Sequence, residues 1–375
     1  MALTLKRLSA AMFVGAIGII GAIGMAAPPL ALAAGSQASD NLAAATRIVD
    51  AALAHQTQWT GPTTGPKAQP GKFIVYVASD MRNDGVLGVY KGVRQAAKVI
   101  GWKLRVIDGR GTVSGRTSAL DQALALNPNG IILGGFDARE QAADLQVAHK
   151  RGVPVVGWHA APVAGPVNGM FDNITTDANK VAEVAALYAV VKSHGHAGVV
   201  IFTDSAFSIA IAKSDAMAKV IKECSGCKLL AVEDTPLADT ANRIPTLTSS
   251  LLQRFGSSWT YSLGINDLYF DFMAPTLAST GTHLVNISAG DGSVSAFDRI
   301  REGKYQAATV AEPLNLQGWE AVDELNRAFA GDKPYVYSPP VHLVTSQNIM
   351  YDGGNHNVFD PDNGYRKEYR KIWGD

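Results

Sequence analysis

The sequence predicts an α/β fold with two doubly wound parallel-sheet lobes, and three observations carry this prediction. Short apolar strands and amphipathic helices alternate regularly from residue 73 to residue 345. The strands are continuous apolar runs, as expected where helices cover both faces of a parallel sheet. The alternation falls into two similar series in a chain of 375 residues, which is long enough for two domains. We therefore expect two lobes with a cleft between them.

The first 33 residues are predicted to be a signal peptide. Lys6-Arg7 precedes an almost wholly apolar run over 8–27, which is followed by Pro28-Pro29 and the small-x-small pattern Ala31-Leu32-Ala33. Cleavage there would leave Ala34 as the first mature residue. The apolar run is long enough to span a membrane, so an uncleaved anchor is the alternative, but the prolines and the cleavage pattern favour removal. We expect a periplasmic protein, and without a Cys at the cleavage point we do not expect a lipoprotein.

The segments before and after the alternation are less regular. Residues 34–71 are predicted to be an N-terminal extension and linker, with a helix over 40–53 and an irregular stretch over 59–71 that holds three prolines and three glycines. We interpret Trp59 as an aromatic that pins this arm to the surface, with stacking in a ligand site as the alternative. The tail over 351–375 is expected to wrap the surface.

The first series of elements runs from residue 73 to residue 157. Its helices carry apolar residues at helical spacing, as Val86, Val89, Val93 and Ala97 do in the first of them. The predicted elements are strands 73–79, 103–108, 130–134 and 154–157 and helices 85–100, 114–126 and 138–150.

The second series continues the alternation to residue 345. Its predicted elements are helices 179–193, 208–223, 239–255, 268–279, 293–302 and 316–330 and strands 198–202, 228–233, 261–265, 283–288, 306–310 and 342–345. The short connections between these elements make the open doubly wound sheet the expected arrangement.

Charge and motifs exclude several function classes. Lys+Arg and Asp+Glu balance at 33 each, so no basic field favours a nucleic-acid partner. The sequence contains no dinucleotide-binding glycine pattern after a strand, no phosphate-binding P-loop and no G-x-S-x-G nucleophile motif. His194-Gly195-His196 has no carboxylate or Cys nearby to complete a metal site. We expect no catalytic residues, no metal and no cofactor, although paired carboxylates among Asp80, Asp137 and Asp291 keep a cleft glycoside hydrolase as a remote alternative.

Cys224 and Cys227 are the only cysteines of the chain. A C-x-x-C pair can be a redox dithiol, half of a zinc site or a small disulfide. In an exported protein with no second pair, we favour a disulfide at a helix-to-strand turn, with a small stabilising effect because the closed loop is short.

Polar or aromatic clusters follow six of the predicted strands at their carboxyl ends. These clusters begin at Ser79, Phe136, Trp158, Thr203, Asn266 and Gly290. In open α/β sheets, ligands bind in the crevice outside the carboxyl ends of the strands. The pattern therefore predicts a lined pocket with three strand ends from each lobe.

The order and spacing of these motifs resemble the type I periplasmic solute-binding proteins of ABC importers, in the ribose-binding branch. The similarity covers residues 71–346, and its marks include Val77-Ala78-Ser79-Asp80-Met81-Arg82-Asn83, Phe136-Asp137, Val153-Pro154-Val155-Val156, Asn266-Asp267, and Gly290-Asp291-Gly292. The resemblance implies a hinge of three crossovers, near 172–176, at Glu312-Pro313 and near 338–340. It divides the chain into lobe 1 (72–174 plus 314–338) and lobe 2 (175–312 plus 340–350), with ligand bound between them by hinge closure.

The resemblance also implies a set of ligand-binding residues. Carboxylates and amides suit vicinal hydroxyl groups, and aromatic side chains can cover the apolar faces of a sugar ring. The expected ligand-binding residues are Ser79, Asn83, Phe136, Asp137, Trp158, His159, Phe207, Lys213, Asn266, Asp291 and Glu312.

Three of these positions depart from the ribose-binding pattern. His159-Ala160 stands where Asp-Arg is usual, Lys213 where Arg is common, and Glu312 where Gln is usual. We therefore expect a different polyol, or a sugar-like solute with a charged group that Lys213 could pair, rather than a plain pentose.

Several of the positions also have a structural interpretation. Asp291 can cap the helix near residue 293, and Asn266-Asp267 can cap the helix that follows, with Asn266 favoured as ligand and Asp267 as cap. Trp158 and Phe207 can be packing residues, and His159 can be a solvated loop histidine.

The function these residues imply is that of a monomeric receptor for a sugar-like solute that delivers it to an ABC permease. The alternative is a sensory binding protein that presents the same solute to a membrane receptor, and neighbouring permease and ATPase genes would distinguish the two. A transcriptional regulator would need an N-terminal helix-turn-helix where this chain has the predicted signal peptide.

Overall fold

The computed structural model describes residues 30–375, with side chains from residue 41 onward. Residues 1–29 of the predicted signal peptide therefore lie outside the described part of the chain. Among the helices of the described part, none is both long and apolar enough to cross a membrane.

The strands of the described residues form two separate sheets. In chain order they are β1 (Phe73–Ala78), β2 (Lys103–Asp108), β3 (Gly130–Gly134), β4 (Val155–Trp158), β5 (Asp172–Ile174), β6 (Gly198–Thr203), β7 (Lys228–Asp234), β8 (Tyr261–Gly264), β9 (Val285–Ser288), β10 (Ala308–Ala311) and β11 (His342–Thr345). The first sheet has the order β2-β1-β3-β4-β5 and the second β11-β10-β9-β8-β6-β7. Every pairing is parallel except that of β10 with β11. The prediction of two parallel-sheet lobes is confirmed.

The helices lie on both faces of the sheets. They are α1 (Leu30–Leu53), α2 (Asp84–Val99), α3 (Val113–Ala125), α4 (Ala142–Lys150), α5 (Ala178–Lys192), α6 (Ser208–Glu223), α7 (Thr240–Phe255), α8 (Leu268–Thr280), α9 (Val294–Glu302), α10 (Leu314–Ala330), α11 (Ile349–Asp352) and α12 (Tyr365–Trp373). We call the first sheet with α2, α3, α4 and α10 lobe 1, and the second sheet with α5 to α9 lobe 2.

The apolar runs of β1 explain how lobe 1 buries both faces of its sheet. Because side chains alternate along a strand, Ile74 and Tyr76 enter one core, under α2 and α10. Val75 and Val77 enter the other core, under α3. A continuous apolar strand is therefore required here, as the sequence indicates.

Two local predictions need correction. The crossover expected near 172–176 starts later, because residues 172–174 form β5, which pairs with β4 inside the bounds expected for lobe 1. Asn173 anchors this strand, since its Nδ2 donates to the carbonyls of Ala161 and Val163 at 3.0 and 2.6 Å. Helix α4 begins at Ala142 rather than at residue 138, because the Asp137 carboxylate accepts from Arg139 N at 3.0 Å and holds a turn there.

The chain crosses between the two sheets at three linkers after β5, after β10 and after α10. These linkers, which we call the hinge linkers, are residues 175–177, 312–313 and 331–341, and they overlap the three positions where crossovers were expected. Hydrogen bonds tie them together, since Ser338 Oγ donates to Thr175 O at 3.2 Å and Thr176 Oγ1 donates to Glu312 Oε2.

The N-terminal extension also connects the lobes. Helix α1 packs on α5 and β11 of lobe 2, where Val49 and Ala52 join the core. Residues 54–71, which we call the strap, then reach lobe 1, where Trp59 packs against Tyr337 and Tyr369 with ring centroids 5.3 and 5.5 Å apart. Trp59 thus fixes the strap to lobe 1. The alternative, that Trp59 stacks on a ligand in the cavity described below, is not supported.

The C-terminal segment 351–375, which we call the tail, makes a similar connection. Its start lies on lobe 2, where Phe359 stacks on His342 of β11 at 4.2 Å between centroids. Its end, α12, packs on α10 of lobe 1, and Trp373 stacks on Trp319 with centroids 5.5 Å apart. The tail therefore forms part of the hydrophobic core of lobe 1 as well as lying on its surface.

Cys224 and Cys227 are joined by a disulfide at the turn between α6 and β7. The bond closes a loop with a sequence separation of 3. It is a local link far from the strand ends that face the cleft.

Candidate ligand-binding site

A cavity of about 530 Å³ lies between the lobes at the carboxyl ends of both sheets. The structure holds the lobes in contact around it. Of the expected ligand-binding residues, the cavity is lined by Ser79, Asn83, Trp158, His159, Phe207, Lys213, Asn266 and Asp291. The other three, Phe136, Asp137 and Glu312, lie elsewhere.

Asp291 is the centre of the polar part of the cavity. Its Oδ2 accepts from Asn266 Nδ2 at 2.8 Å, and its Oδ1 lies 3.9 Å from His159 Nδ1. Burial raises the pKa of Asp291, while the charges of Lys213 and His159 oppose that rise. The carboxylate is thus desolvated but faces two cationic or potentially cationic groups.

The helix-cap alternatives for Asp291 and Asp267 are both wrong. Helix α9 is capped by Ser293, whose Oγ accepts from Ala296 N at 3.1 Å. Asp267 makes no side-chain cap on α8; its Oδ2 accepts from Gly292 N and Ser293 N at 2.8 and 3.1 Å. The Asp267 carboxylate therefore holds the turn that presents Asp291 to the cavity.

Lys213 reaches the same region from α6. Its buried Nζ donates to Ala289 O at 2.7 Å. An ammonium group has three donors, so two remain after this bond. Its positive charge also lowers the free energy of the ionised forms of Asp291 and Glu312.

Glu312 lies behind the cavity wall, which corrects its expected role as a ligand contact. Its Oε2 accepts from Gln317 Nε2 at 2.8 Å and from Thr176 Oγ1, and its Oε1 lies 3.5 Å from His159 Nε2. Burial acts to raise the pKa of Glu312, but the hydrogen bonding and charge of His159 and the charge of Lys213 outweigh it and hold this pKa at about 2. Glu312 thus connects two hinge linkers to His159.

Lobe 1 supplies three lining residues whose geometry is set by local structure. Asn83 caps α2, because its Oδ1 accepts from Gly85 N at 2.9 Å. Its Nδ2 is left as a donor at the cavity. Trp158 stacks on His159 with centroids 4.1 Å apart and donates from Nε1 to Gln317 Oε1 at 2.9 Å. Trp158 is therefore a packing residue that fixes the ring plane of His159, and it also forms part of the cavity wall.

Two carboxylates of lobe 1 contact lobe 2 directly. Asp137 Oδ2 accepts from Ser208 N at 2.6 Å, at the start of α6, which has no side-chain cap of its own. Asp84 Oδ2 accepts from Val294 N at 3.2 Å, at the start of α9. Both contacts place a carboxylate where a helix dipole favours negative charge. Asp137 was expected to bind ligand, and this is corrected: its oxygens are used by Ser208 and by Arg139.

Phe136 does not reach the cavity. Its side chain is fully buried in the lobe 1 core with Leu133 and Leu145, so its expected contact with ligand is wrong. Phe207 does line the cavity, half-buried, and its ring lies 5.2 Å from the guanidinium carbon of Arg116 on the opposite lobe.

Sequence reasoning missed the part of the cavity that follows the edge strands β2 and β7. There the lining includes Val113, Leu237, Ala238 and Phe272. The one available signal was the apolar pair Leu237-Ala238 directly after β7, in a connection where solvated residues are usual. Val113 and Phe272 carried no signal, because each fits the apolar spacing of its own helix.

Comparison with known families matches residues 74–333 to the periplasmic binding protein domain. The chain belongs to this family. No curated protein sequence matches it closely enough to compare. The family and the two-lobed type I fold agree with the resemblance inferred from the motifs.

Solved structures of solute-binding proteins share the fold at low sequence identity. A solute-binding protein from Agrobacterium vitis with bound allitol has a TM-score of 0.65 and 19% identity, over 74% of this binding protein and 97% of that chain. A glucose-galactose binding protein from Geobacillus stearothermophilus has a TM-score of 0.66 and 20% identity, over 75% and 99%. A protein from Bacillus halodurans with bound myo-inositol has a TM-score of 0.63 and 14% identity, over 76% and 98%. At these identities the likeness concerns the fold.

Proposed function

We propose that this protein is the periplasmic substrate-binding component of an ABC transporter. It binds a neutral sugar or polyol in the cavity between the lobes and delivers it to a membrane permease. The proposal rests mainly on one observation: hydrogen-bonding side chains from both lobes converge on one cavity between them. His159 comes from lobe 1, and Asn266, Asp291 and Lys213 come from lobe 2. The solutes of the similar structures, allitol and myo-inositol among them, support a polyhydroxylated ligand.

The charges at the cavity favour a neutral ligand over an acidic one. Lys213 and His159 face two carboxylates, Asp291 and Glu312, so the cationic groups are already compensated within the protein. A sugar acid would bring a further negative charge beside a buried carboxylate, which costs free energy. Hydroxyl groups instead can donate to Asp291 and accept from Lys213 without adding charge.

The cavity takes its hydrogen-bonding residues from both lobes, and this supports closure of the hinge on the solute. A solute held by one lobe gains the hydrogen bonds of the other lobe only when the cleft shuts, so binding shifts the population toward the closed form. The contacts of Asp137 with Ser208 and of Asp84 with Val294 belong to that closed form, because each joins the two lobes. No step of this function breaks a bond in the solute.

Mass spectrometry of small molecules released from natively purified protein tests the proposal, together with calorimetric titration of sugars, sugar acids and polyols. We expect a neutral polyhydroxylated solute bound at one per chain and recovered unchanged. Failure of the whole panel to bind to folded protein would refute the proposal, and recovery of a hydrolysed product would favour the cleft hydrolase. Loss of solute uptake on deleting the gene distinguishes delivery to a permease from the sensory alternative, in which uptake persists.

A further inference from the structure

We propose that the solute has two parts: a polyhydroxylated ring at one end of the cavity and an apolar, ring-sized substituent at the other, as in an aryl glycoside. The inference rests on the proposed function and narrows its ligand class. The two ends of the cavity differ in position, in chemistry and in how their polar groups are satisfied.

Sheet order separates the two ends. Asp291 follows β9 and His159 follows β4, and these strands lie toward the hinge side of their sheets. Val113 lies shortly after β2 and Leu237 shortly after β7, which are the edge strands farthest from the hinge linkers. We call these the hinge end and the edge end of the cavity.

The polar groups at the edge end are occupied by the protein itself. Asp204 accepts from Ala206 N at 3.0 Å and from Leu237 N at 2.8 Å. Arg116 makes a two-pronged ion pair with Glu140, in which Nε donates to Oε2 at 3.0 Å and Nη2 donates to Oε1 at 2.9 Å. These groups shape the edge end and leave few donors or acceptors for sugar hydroxyls.

What the edge end offers to a solute is apolar surface from both lobes. Leu237 and Ala238 approach from lobe 2, where Phe272 lies on α8, the helix packed against α7. Val113 approaches from lobe 1 and is 56% exposed. An exposed valine at the rim of a cavity gains burial if an apolar group fills the space beside it.

The size of the cavity agrees with a two-part solute. Its volume of about 530 Å³ falls within the range of about 300–1,000 Å³ typical of pockets for drug-sized ligands. Asp80 and Arg82 also line the edge end, but they pair with each other, with Arg82 Nε and Nη2 donating to the Asp80 carboxylate at 2.9 and 2.7 Å. The polar side chains with donors or acceptors left for a sugar ring therefore lie mainly at the hinge end. The apolar remainder is the space that a substituent on that ring would fill.

The test compares methyl and phenyl glycosides of the same sugars, glucose, galactose, ribose and arabinose, by calorimetric titration. We expect the phenyl glycoside of the preferred sugar to bind about tenfold more tightly than the methyl glycoside, with a more negative heat-capacity change from apolar burial. A phenyl glycoside that binds no better than the methyl glycoside would overturn the inference.

Two matched valines supply the control, since Val113 and Val163 are both 56% exposed and only Val113 lines the cavity. Val113→Asn should remove most of the phenyl preference while the methyl glycoside keeps its affinity. Val163→Asn should keep the full preference. Leu237→Asn, in a half-buried site, provides a second cavity variant if Val113→Asn folds poorly. Equal loss of preference in Val113→Asn and Val163→Asn would overturn the assignment to the edge end.

The experiment also separates this inference from the proposed function. If free sugars or methyl glycosides bind and phenyl glycosides bind more weakly, the inference fails and the proposed function stands. If a polyol of the wider panel binds but none of these sugars or glycosides does, the inference fails and the proposed function stands. If no member of the wider panel and none of the glycosides binds to cooperatively folded protein, both fail.

Discussion

Two groups of buried ionisable residues lie near the hinge, and they are neutralised in different ways. The cleft cluster consists of His159, Lys213, Asp291 and Glu312 at the hinge end of the cavity. The α10 cluster consists of Asp172, Glu320, Asp323 and Glu324 with Arg327, buried beneath the strap and the tail. The first faces a cavity, whereas no residue of the second lines it.

The cleft cluster balances opposite charges. The pKa of Glu312 is held at about 2 because His159 and Lys213 outweigh the cost of burial. On the proposed function, the acceptor that meets the solute is Asp291, because Glu312 lies behind the cavity wall, and a hydrogen bond from a solute hydroxyl to this buried carboxylate is strong.

The α10 cluster has too few cations for its carboxylates. Burial, together with the neighbouring carboxylates, raises the pKa of Glu324 to about 9 and that of Glu320 well above its usual value. Neither carboxylate oxygen of Glu320 has a hydrogen-bond partner among the described residues. Arg327 compensates chiefly Asp323, at 2.8 Å. The two clusters thus differ in what offsets the cost of burying a carboxylate: cations beside Glu312 in the cleft cluster, and protonation of Glu320 and Glu324 in the α10 cluster.

The largest expected effect comes from breaking the packing over the α10 cluster. Trp373→Ala removes the stack on Trp319 and the hydrogen bond from Nε1 to Asp323 at 2.7 Å. We expect the free energy of unfolding to fall by about 3–5 kcal/mol, measured by denaturant titration. Solute affinity of the remaining folded protein should be unchanged, because α12 does not touch the cavity.

Trp373→Phe is the matched control, since it keeps most of the apolar contact and loses the hydrogen bond. In Trp373→Phe the free energy of unfolding should fall by only about 1–3 kcal/mol, which is the cost of leaving the buried Asp323 carboxylate without this donor. Equal losses from the two variants would show that stacking on Trp319 contributes little, and a loss of solute affinity would contradict the separation of the two clusters.

The next effect is on binding at the cleft cluster. Asp291→Ala removes the acceptor for Asn266 and the counter-charge for Lys213, so we expect solute affinity to fall by about 3 kcal/mol, a factor of more than 100. Asp291→Asn keeps the shape and one acceptor and should lose less. Calorimetry on samples with matched thermal unfolding midpoints measures both, and unchanged affinity in Asp291→Ala would remove this residue from the site.

The sequence could predict part of the cleft cluster but not the burial of the α10 cluster. Asp291 and Asn266 were predictable, because each lies within three residues of the end of a buried strand and strand ends meet at the cleft. Glu320, Asp323 and Glu324 look like the solvated face of a helix, and only the distant strap and tail make them buried. Such burial depends on contacts across hundreds of residues, which local pattern does not encode.

The errors at the site have the same physical cause. Phe136 and Asp137 do follow the end of a strand, β3, but the direction of each side chain depends on the turn that the Asp137 carboxylate itself forms. Glu312 was placed at the right crossover, yet whether it faces solute or hinge depends on Thr176 and Gln317 from other segments. Element positions were therefore predictable, and side-chain partners across the hinge were not.

The α10 cluster should also make stability depend on pH. Because the pKa of Glu324 is raised to about 9 in the folded state, the folded protein holds a proton that the unfolded chain has released above its ordinary pKa. The contribution of protonated Glu324 to the free energy of unfolding is thus fully present at low pH. This contribution is lost as pH rises toward about 9, by up to about 1.4 kcal/mol per pH unit. Glu324→Gln should flatten this decline, measured as unfolding free energy at pH 6 to 9. A decline equally steep in wild type and variant would show that another group is responsible.

The smallest expected effect concerns lobe closure rather than the cavity itself. Hydrogen bonds from Arg139 and Ser208 lower the pKa of Asp137 although burial acts to raise it, so this contact between lobes is present at neutral pH and weakens as acid protonates the carboxylate. Asp137→Asn should weaken the bond to Ser208 N at the uncapped start of α6, costing about 1 kcal/mol of closure. Solute affinity should then fall roughly fivefold, and the radius of gyration of the protein without solute should rise in X-ray scattering.

Asp121→Asn, at an exposed carboxylate on α3 of the same lobe, is the control for lost charge and should change neither quantity. If Asp137→Asn leaves both quantities unchanged, closure depends on the solute and the hinge linkers alone, and the carboxylate contacts between the lobes have no part in it.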